Sequence, residues 1–476
     1  MMKRFLLILL GFTLTLSLFS HPWKPSHYII IDTDGGIDDM RAITMLLASP
    51  DVRVLGIIVS PGALDTETSY KKVRGLLNSF HHEGIPVAVN NSCNFKSPRF
   101  QAAVNTLWGD ENGIDQKDAP LFTTLIEKLL AAERTKISFI CLGGMTSAAI
   151  SMKEIPAFTK QVKEIIWSAN GLNDRKGFNF NIDRNSSEKV IKGSIPVKII
   201  MGFSETVFFD NALNTAFSSV RNQYAQKIAG FMNSENAGHS FALMATDEMV
   251  PLYLHFPLLF KGDSAGIMRE FASSELQLLR EGSQKILEGE TVDKNQVIKH
   301  FPSDPSFYSD DVAPFVTDII NRYGTDEWAS GIIANELHRH LGVFAIVGVK
   351  MGIRAREYFN TGVDEFSAVS FAGSIPPMSC MNDGLQVSTG ATPGHGLLTV
   401  RNDSPASPSA EFTYMDRKIR ITLKPDIAAK ISSELKEINF VYGLDSNIYW
   451  ELVRKNSIKY WLDMDRHEIF YLEEIH

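Results

Sequence analysis

Four aspartates fall within eight positions in the run Asp32-Thr33-Asp34-Gly35-Gly36-Ile37-Asp38-Asp39, and no other part of the chain concentrates chemical groups so tightly. The run follows the β-branched triplet Ile29-Ile30-Ile31 and precedes an amphipathic stretch. Asp32 and Asp34 therefore alternate at the end of a strand, while Asp38 and Asp39 open a helix. Gly35 and Gly36 permit the tight reversal between them, because glycine accepts backbone angles that other residues resist. Carboxylates converging in so small a space repel one another, and a hard divalent cation resolves the conflict. Oxygen-only ligation favours calcium or magnesium over zinc. The bland alternative, a helix cap with solvated neighbours, accounts for one aspartate and not for four.

Such a turn needs a sheet to hold it. His27 to Ile31, Val52 to Val59, Ile85 to Val89, Ile137 to Leu142, Glu164 to Trp167 and Val197 to Met201 are short apolar runs bounded by turn residues, and they read as buried strands. Asp39 to Ala48, Thr66 to Phe80, Pro120 to Arg134 and Ser187 to Ile191 read as helices between them. This alternation predicts an α/β fold, a Rossmann-like, mostly parallel sheet with helices on both faces. Ligands bind outside the carboxyl ends of such strands, where the aspartate turn falls. A mostly helical stretch follows from Asn211 to Trp328, and near Asn335 the texture changes to a Gly-rich helix (Leu341 to Phe359) and strand-like runs around Ala368, Leu397 and Ile419. Arg401 to Ala410 reads as a polar loop. A domain boundary near 325–335 is expected, giving domains at 27–328 and 330–476, the second an α+β unit.

The 476 residues are 44% hydrophobic and carry a net charge of -8, a composition that argues for a buried core and against a polyanionic partner such as nucleic acid. Lys3 and Arg4 precede a fifteen-residue apolar run from Phe5 to Phe19, then Ser20-His21-Pro22. That length suits a secretory signal over residues 1–22 and is short for a membrane span. The expectation is export to the periplasm or the exterior, without stable membrane insertion once the signal is cleaved; a retained anchor is the alternative. Cys93, Cys141 and Cys380 are too few and scattered to form a disulfide framework.

The opening motif resembles the signature of the inosine-uridine type nucleoside hydrolases, which carry proline where this chain has Gly35. Gly143-Gly144-Met145-Thr146-Ser147 resembles that family's GPLTN segment, Gly177-Phe178-Asn179-Phe180 its EFNF segment, and Thr246-Asp247 its late HD pair, the whole covering roughly residues 27–325. The resemblance implies a calcium-dependent glycosidase that cleaves the N-glycosidic bond of nucleosides or related ribosides. It implies Asp34 as cation ligand and proton acceptor for the attacking water, with Asp39, Asp247 and the Thr146 carbonyl as further ligands. Asp38 and Asn179 would hold ribose hydroxyls, and Asp32 would support the cluster. Thr246 stands where the family has a histidine, Gly177 where it has glutamate, and Trp108 where it has the histidine of an HG-x-x-G loop. The loop from Ser168 to Lys176 looks shortened, so neither Asn170 nor Asn173 is assigned a sugar contact. Trp108 has two readings, stacking on a base or packing in the core, and packing is the commoner for an indole in an apolar setting.

Leu337-His338-Arg339-His340-Leu341-Gly342, then Cys380-Met381-Asn382-Asp383, and Thr389-Gly390-Ala391-Thr392-Pro393-Gly394-His395, are similar to the E-type family of formylmethanofuran dehydrogenase proteins over about 330–425. His338, His340, Cys380 and His395 are ligand types that suit zinc or another transition metal. Two histidines two apart on a helix do not share a face, so one of the pair is expected to ligate, and His338, Cys380 and His395 form the expected set. Ordinary core and loop roles are the alternative. For the whole chain two other readings stay open: a non-catalytic nucleoside- or sugar-binding protein that keeps the metal pocket, and a phosphatase of the haloacid dehalogenase type, which wants threonine at the position of Gly36. Monomer and homo-oligomer are both compatible with the sequence.

Overall fold

The computed structural model describes residues 25–169, 177–203, 208–234, 245–264, 266–271, 276–289, 297–298, 300–403 and 405–475. The segment 1–22, Asn170 and Asn173 lie outside them. No described helix is long and apolar enough to cross a membrane.

The first sheet has eight strands: β1 (His27–Thr33), β2 (Val52–Val59), β3 (Val87–Val89), β4 (Ile137–Cys141), β5 (Val162–Ser168), β6 (Val197–Ile200), β7 (Phe260–Gly262) and β8 (Met268–Phe271). Their order is β3-β2-β1-β4-β5-β6-β8-β7, and every neighbouring pair is parallel except the β7–β8 hairpin. That hairpin interrupts the stretch expected to be helical. Its strands are three and four residues long at one edge, too short for alternation to declare them.

Because both faces of the sheet are covered, its inner strands are apolar throughout. Side chains alternate between the faces: Ile29 and Ile31 enter one apolar cluster with α1 (Ile37–Ala48) and α2 (Thr66–Ser79), while Ile30 enters the opposite one with α3 (Phe122–Ala132). After β1 the chain adds β2 and β3 on one side, then crosses to β4 on the other. The order reverses between β1 and β4, so a crevice opens at their carboxyl ends.

The second sheet, β9 (Ser367–Ser370), β10 (Leu398–Val400), β11 (Ser409–Tyr414), β12 (Arg417–Leu423) and β13 (Phe470–Ile475), runs in the order β10-β9-β11-β12-β13. Its cluster begins at Val312 and Val316 and includes Trp328, whereas the first half's cluster ends at Leu287. The boundary expected near 325–335 thus falls inside a helix, Val316–His338, which bends at Gly324.

The two halves meet at the amino ends of the first sheet's strands. Arg53, second residue of β2 and opposite Tyr28, forks onto Glu365 with both side chains buried. Gly84 N donates to the Tyr358 carbonyl at 3.0 Å, and a β-carbon there would stand 2.4 Å from the Tyr358 ring. Arg354 reaches Glu83 at 2.8 Å, and the His81 and His467 rings stack at 3.6 Å. His82 Nδ1 lies 2.6 Å from the Glu357 carbonyl oxygen, which can only accept, so Nε2 accepts from the Tyr224 hydroxyl at 2.7 Å.

Two outcomes follow from this interface. Glu365→Ala strands the buried Arg53 guanidinium and is expected to cost about 3 kcal/mol in urea denaturation of the full chain; an unchanged midpoint would contradict the clamp. Burial lowers the His82 pKa from 6.5 to about 4. The unfolded chain therefore takes up this proton at higher pH than the folded one, and stability falls as the pH drops from 6.5 toward 4. In His82→Gln the urea midpoint is expected to vary less steeply across that window.

Candidate active site

β1 carries Asp32 near its end, and Asp34 follows one residue beyond it. Gly35 then turns the chain at a φ of +78°, and α1 begins at Ile37 with Asp38 and Asp39 in its first turn. A β-carbon at Gly35 would overlap Ser69, whose hydroxyl donates to the Asp34 carbonyl at 2.8 Å. One at Gly62 would lie 2.1 Å from Asp34 Oδ2, so bare backbone forms the wall beside that carboxylate. Asp39 Oδ1 accepts from the Thr33 hydroxyl at 2.5 Å and from Asp34 N at 3.1 Å, which ties the helix start back to the strand end.

The late aspartate arrives from the far side. Asp247 sits in the turn before α4 (Met249–His255), and one carboxylate oxygen each from Asp38, Asp39 and Asp247 lie within 4.8 Å of one another. Thr246 donates its hydroxyl to Asp38 Oδ2. Asn179, in the short helix Phe178–Ile182, donates to the carbonyls of Leu142 at 2.5 Å and Ser168 at 3.0 Å. Its Oδ1, both oxygens of Asp247 and Oδ2 of Asp32 are buried without a hydrogen-bond partner among the described residues.

These groups are not comfortable as bare anions. Burial raises the Asp34 pKa well above its ordinary value, and the charges of Asp39 and Asp38 add to it. Asp247 is raised well above its ordinary value by burial, then by Asp38 and Asp39. Asp39 is pushed up to about 6 by burial and Asp38, and Asp32 to about 7 chiefly by burial. Orphaned acceptors, crowded carboxylates and an all-oxygen donor set fit a hard divalent cation.

The sequence-derived residues are mostly gathered, with one shift. Asp38, expected to hold ribose, belongs to the tight carboxylate trio, while Asp34 turns toward Gly62 and Gly143 beside it. Thr146 opens the helix Thr146–Glu154 and donates its hydroxyl to Asp183 at 3.0 Å. Trp108 is 1% exposed and stacks on Phe231 at 5.3 Å, so it packs in the core and offers no face to a base. Sequence reasoning missed Ser60, which donates to Asp32 Oδ1 at 2.7 Å and neighbours Ser147 at 3.2 Å. Its place at the carboxyl end of β2 was the available signal.

The second metal set is not assembled. Cys380 precedes and His395 follows the nine-residue helix Met381–Thr389, which is about 13 Å long. His395 pairs with Asp364 at 3.3 Å, and His338 Nδ1 with Asp383 at 2.7 Å. Among the described residues, Asp38, Asp39 and Asp247 form the only group of three potential ligands so close together. The expected separation of His338 and His340 is also overturned. The helix ends at His338, Arg339 takes a left-handed φ of +67°, and the two rings come to 4.1 Å.

Comparison with known proteins gives two family matches: the inosine-uridine preferring nucleoside hydrolase profile over residues 29–297, and the profile described as FmdE, molybdenum formylmethanofuran dehydrogenase operon, over 337–461. Among relatives, the probable uridine nucleosidase 2 of Oryza sativa is 23% identical over 282 residues, 55% of this chain and 80% of that protein. A pyrimidine-specific ribonucleoside hydrolase of Klebsiella pneumoniae is 26% identical over 36% of this chain and 58% of its own length. The solved inosine-uridine preferring nucleoside hydrolase of Bacillus anthracis aligns at a TM-score of 0.44 and 16% identity, covering 55% of this chain and 99% of that one.

Gly62→Ala drives a methyl into the Asp34 carboxylate. If a millimolar divalent cation raises the melting temperature of the unsubstituted protein, this variant is expected to lose that rise; an undiminished rise would detach Asp34 from the cation site.

Proposed function

Because the chain belongs to the inosine-uridine preferring nucleoside hydrolase family through residues 29–297, we propose that it hydrolyses nucleosides or related ribosides to free base and ribose with a divalent cation, calcium, at the aspartate cluster. The observation that carries this reading is the convergence of Asp38, Asp39 and Asp247 from opposite sides of the crevice, beside buried acceptors without a hydrogen-bond partner among the described residues. Asp39 and Asp247 of that trio, with Asp34 and the Thr146 carbonyl, would hold the cation, while Asp38 beside them would face the sugar. When bound, it lowers the pKa of a coordinated water and orients it.

The remaining work falls to the side chains. Departure of a base from a riboside passes through a cation-like transition state, which nearby carboxylates favour. Asp34, buried at the cluster beside the water's place, would accept the proton of the attacking water. Asp38 and the Asn179 amide oxygen, the latter already oriented by two carbonyls, accept hydrogen bonds from ribose hydroxyls. Thr246 is committed to Asp38. It therefore steadies a sugar-binding carboxylate, and protonation of the leaving base falls to water or to another group. This engagement also favours the second reading, a binding protein that has lost leaving-group activation.

The basic start and apolar run of residues 3–19 support export to the periplasm or the exterior. Residues 337–461 form an accessory unit whose ligand stays unassigned.

The test is release of ribose and base from a panel of purine and pyrimidine nucleosides, with calcium and after chelation. Turnover that needs the cation and falls about 1,000-fold in Asp34→Asn supports the hydrolase. Tight riboside binding without ribose release would replace it with the binding protein.

A further inference from the structure

Arg41 and Glu248 form an ion pair with no exposed surface on either side chain. Arg41 lies on α1, three residues after Asp38 and two after Asp39, and Glu248 directly follows Asp247. Each partner is thus covalently beside the carboxylates that meet in the crevice. The Arg41 guanidinium is backed by the Phe209 ring at 3.9 Å and the Phe231 ring at 5.7 Å, which confine it. Glu248 is anchored twice, through Oε1 to Arg41 and through Oε2, which accepts from Thr246 N at 2.9 Å. The turn is closed by Met249 N on the Thr246 carbonyl and Val250 N on the Asp247 carbonyl.

Neither oxygen of Asp247 makes a well-formed hydrogen bond among the described residues, and its side-chain neighbours are Asp39 and Ser168. Beside Ser168, the residues on either side of Asp247 set its place opposite Asp38 and Asp39. Mutual repulsion of the three carboxylates would push that turn away from α1. A buried ion pair rarely adds stability over apolar side chains of the same volume, because desolvation offsets the attraction. What it does supply is one permitted geometry, since each charge is tolerable only against its partner.

We propose that Arg41 and Glu248 are positioning residues that preassemble the cation site, locking the turn bearing Asp247 against the helix bearing Asp38 and Asp39 before any cation arrives. The inference rests on the metal-site reading above. Its effect falls on cation affinity, because removal of the strut lets Asp247 relax outward and the cation must then pull it back. Once the cation is saturating, the same ligands are in place and turnover is little changed.

The experiment is calorimetric titration of the full chain with calcium, together with kcat at saturating calcium. Glu248→Gln and Arg41→Met are expected to weaken calcium binding about 10- to 100-fold, the range for supporting partners of metal ligands, with kcat retained within a few-fold. Because a single charge left buried can prevent folding, Arg41→Leu/Glu248→Leu is the decisive variant: it removes both charges and keeps an apolar core. Weakened calcium binding by a double variant with an unchanged, cooperative melt supports the strut. Wild-type affinity in that variant overturns it, as does a loss of kcat at unchanged affinity. Absence of calcium binding in the unsubstituted protein would instead overturn the metal-site reading itself.

Discussion

The mutual repulsion of buried carboxylates at the end of β1 is the constraint to which the rest of the first half answers. Asp32, Asp34, Asp39 and Asp247 are all removed from water, a condition under which like charges cannot coexist bare. Every nearby feature either brings them together or tolerates their closeness. The Gly35 turn and the side-chain-free Gly62 give Asp34 its room. The Thr33 hydroxyl and Asp34 amide fix Asp39, and Ser60 fixes one oxygen of Asp32. A parallel sheet suits this purpose because its strand ends sit at one edge, where chain reversals can point polar groups into a shared crevice without unpairing the ladder.

Much of this was legible in the sequence, for an identifiable reason. Residues 32–39 are local: strand, turn and helix start lie in one contiguous run, so the spacing alone predicts convergence. The limits of β2 could be read from its apolar run because its eight residues are all buried. Asp247 was not locatable from its surroundings; two residues of turn before a short helix carry no periodic signal, and only resemblance to a family singled it out. Arg41 and Glu248 were illegible in a different way. A charged residue within a helix reads as a solvated face, and nothing local reveals that both ends of the pair are submerged. Ion pairs between segments 207 positions apart are a property of the fold.

The second half shows the converse, where local rules misled. His338 and His340 were expected on different helical faces, but a left-handed Arg339 ends the helix between them and brings the rings together. The Cys380 and His395 pattern suggested a ligand set, yet an intervening helix holds the two ends apart. Spacing predicts contact only if the backbone between the residues is known. Termination of a helix one residue earlier or later than its apolar pattern suggests is enough to reverse the conclusion.

The Arg53–Glu365 clamp also fixes where the accessory half can act. Arg53 sits opposite Tyr28, at the start of β1, and Asp34 lies six residues farther along the chain, about 20 Å away down the strand. The two halves meet at one end of the sheet and the crevice opens at the other, with the length of the buried strands between them. A molecule released at the crevice enters solvent before it can reach the other half. Fusion therefore holds the accessory half at a fixed distance from the crevice, as a short tether does. The turns that carry Asp34 and Asp247 stand clear of the joint, so a change at the clamp reaches them only through the sheet itself.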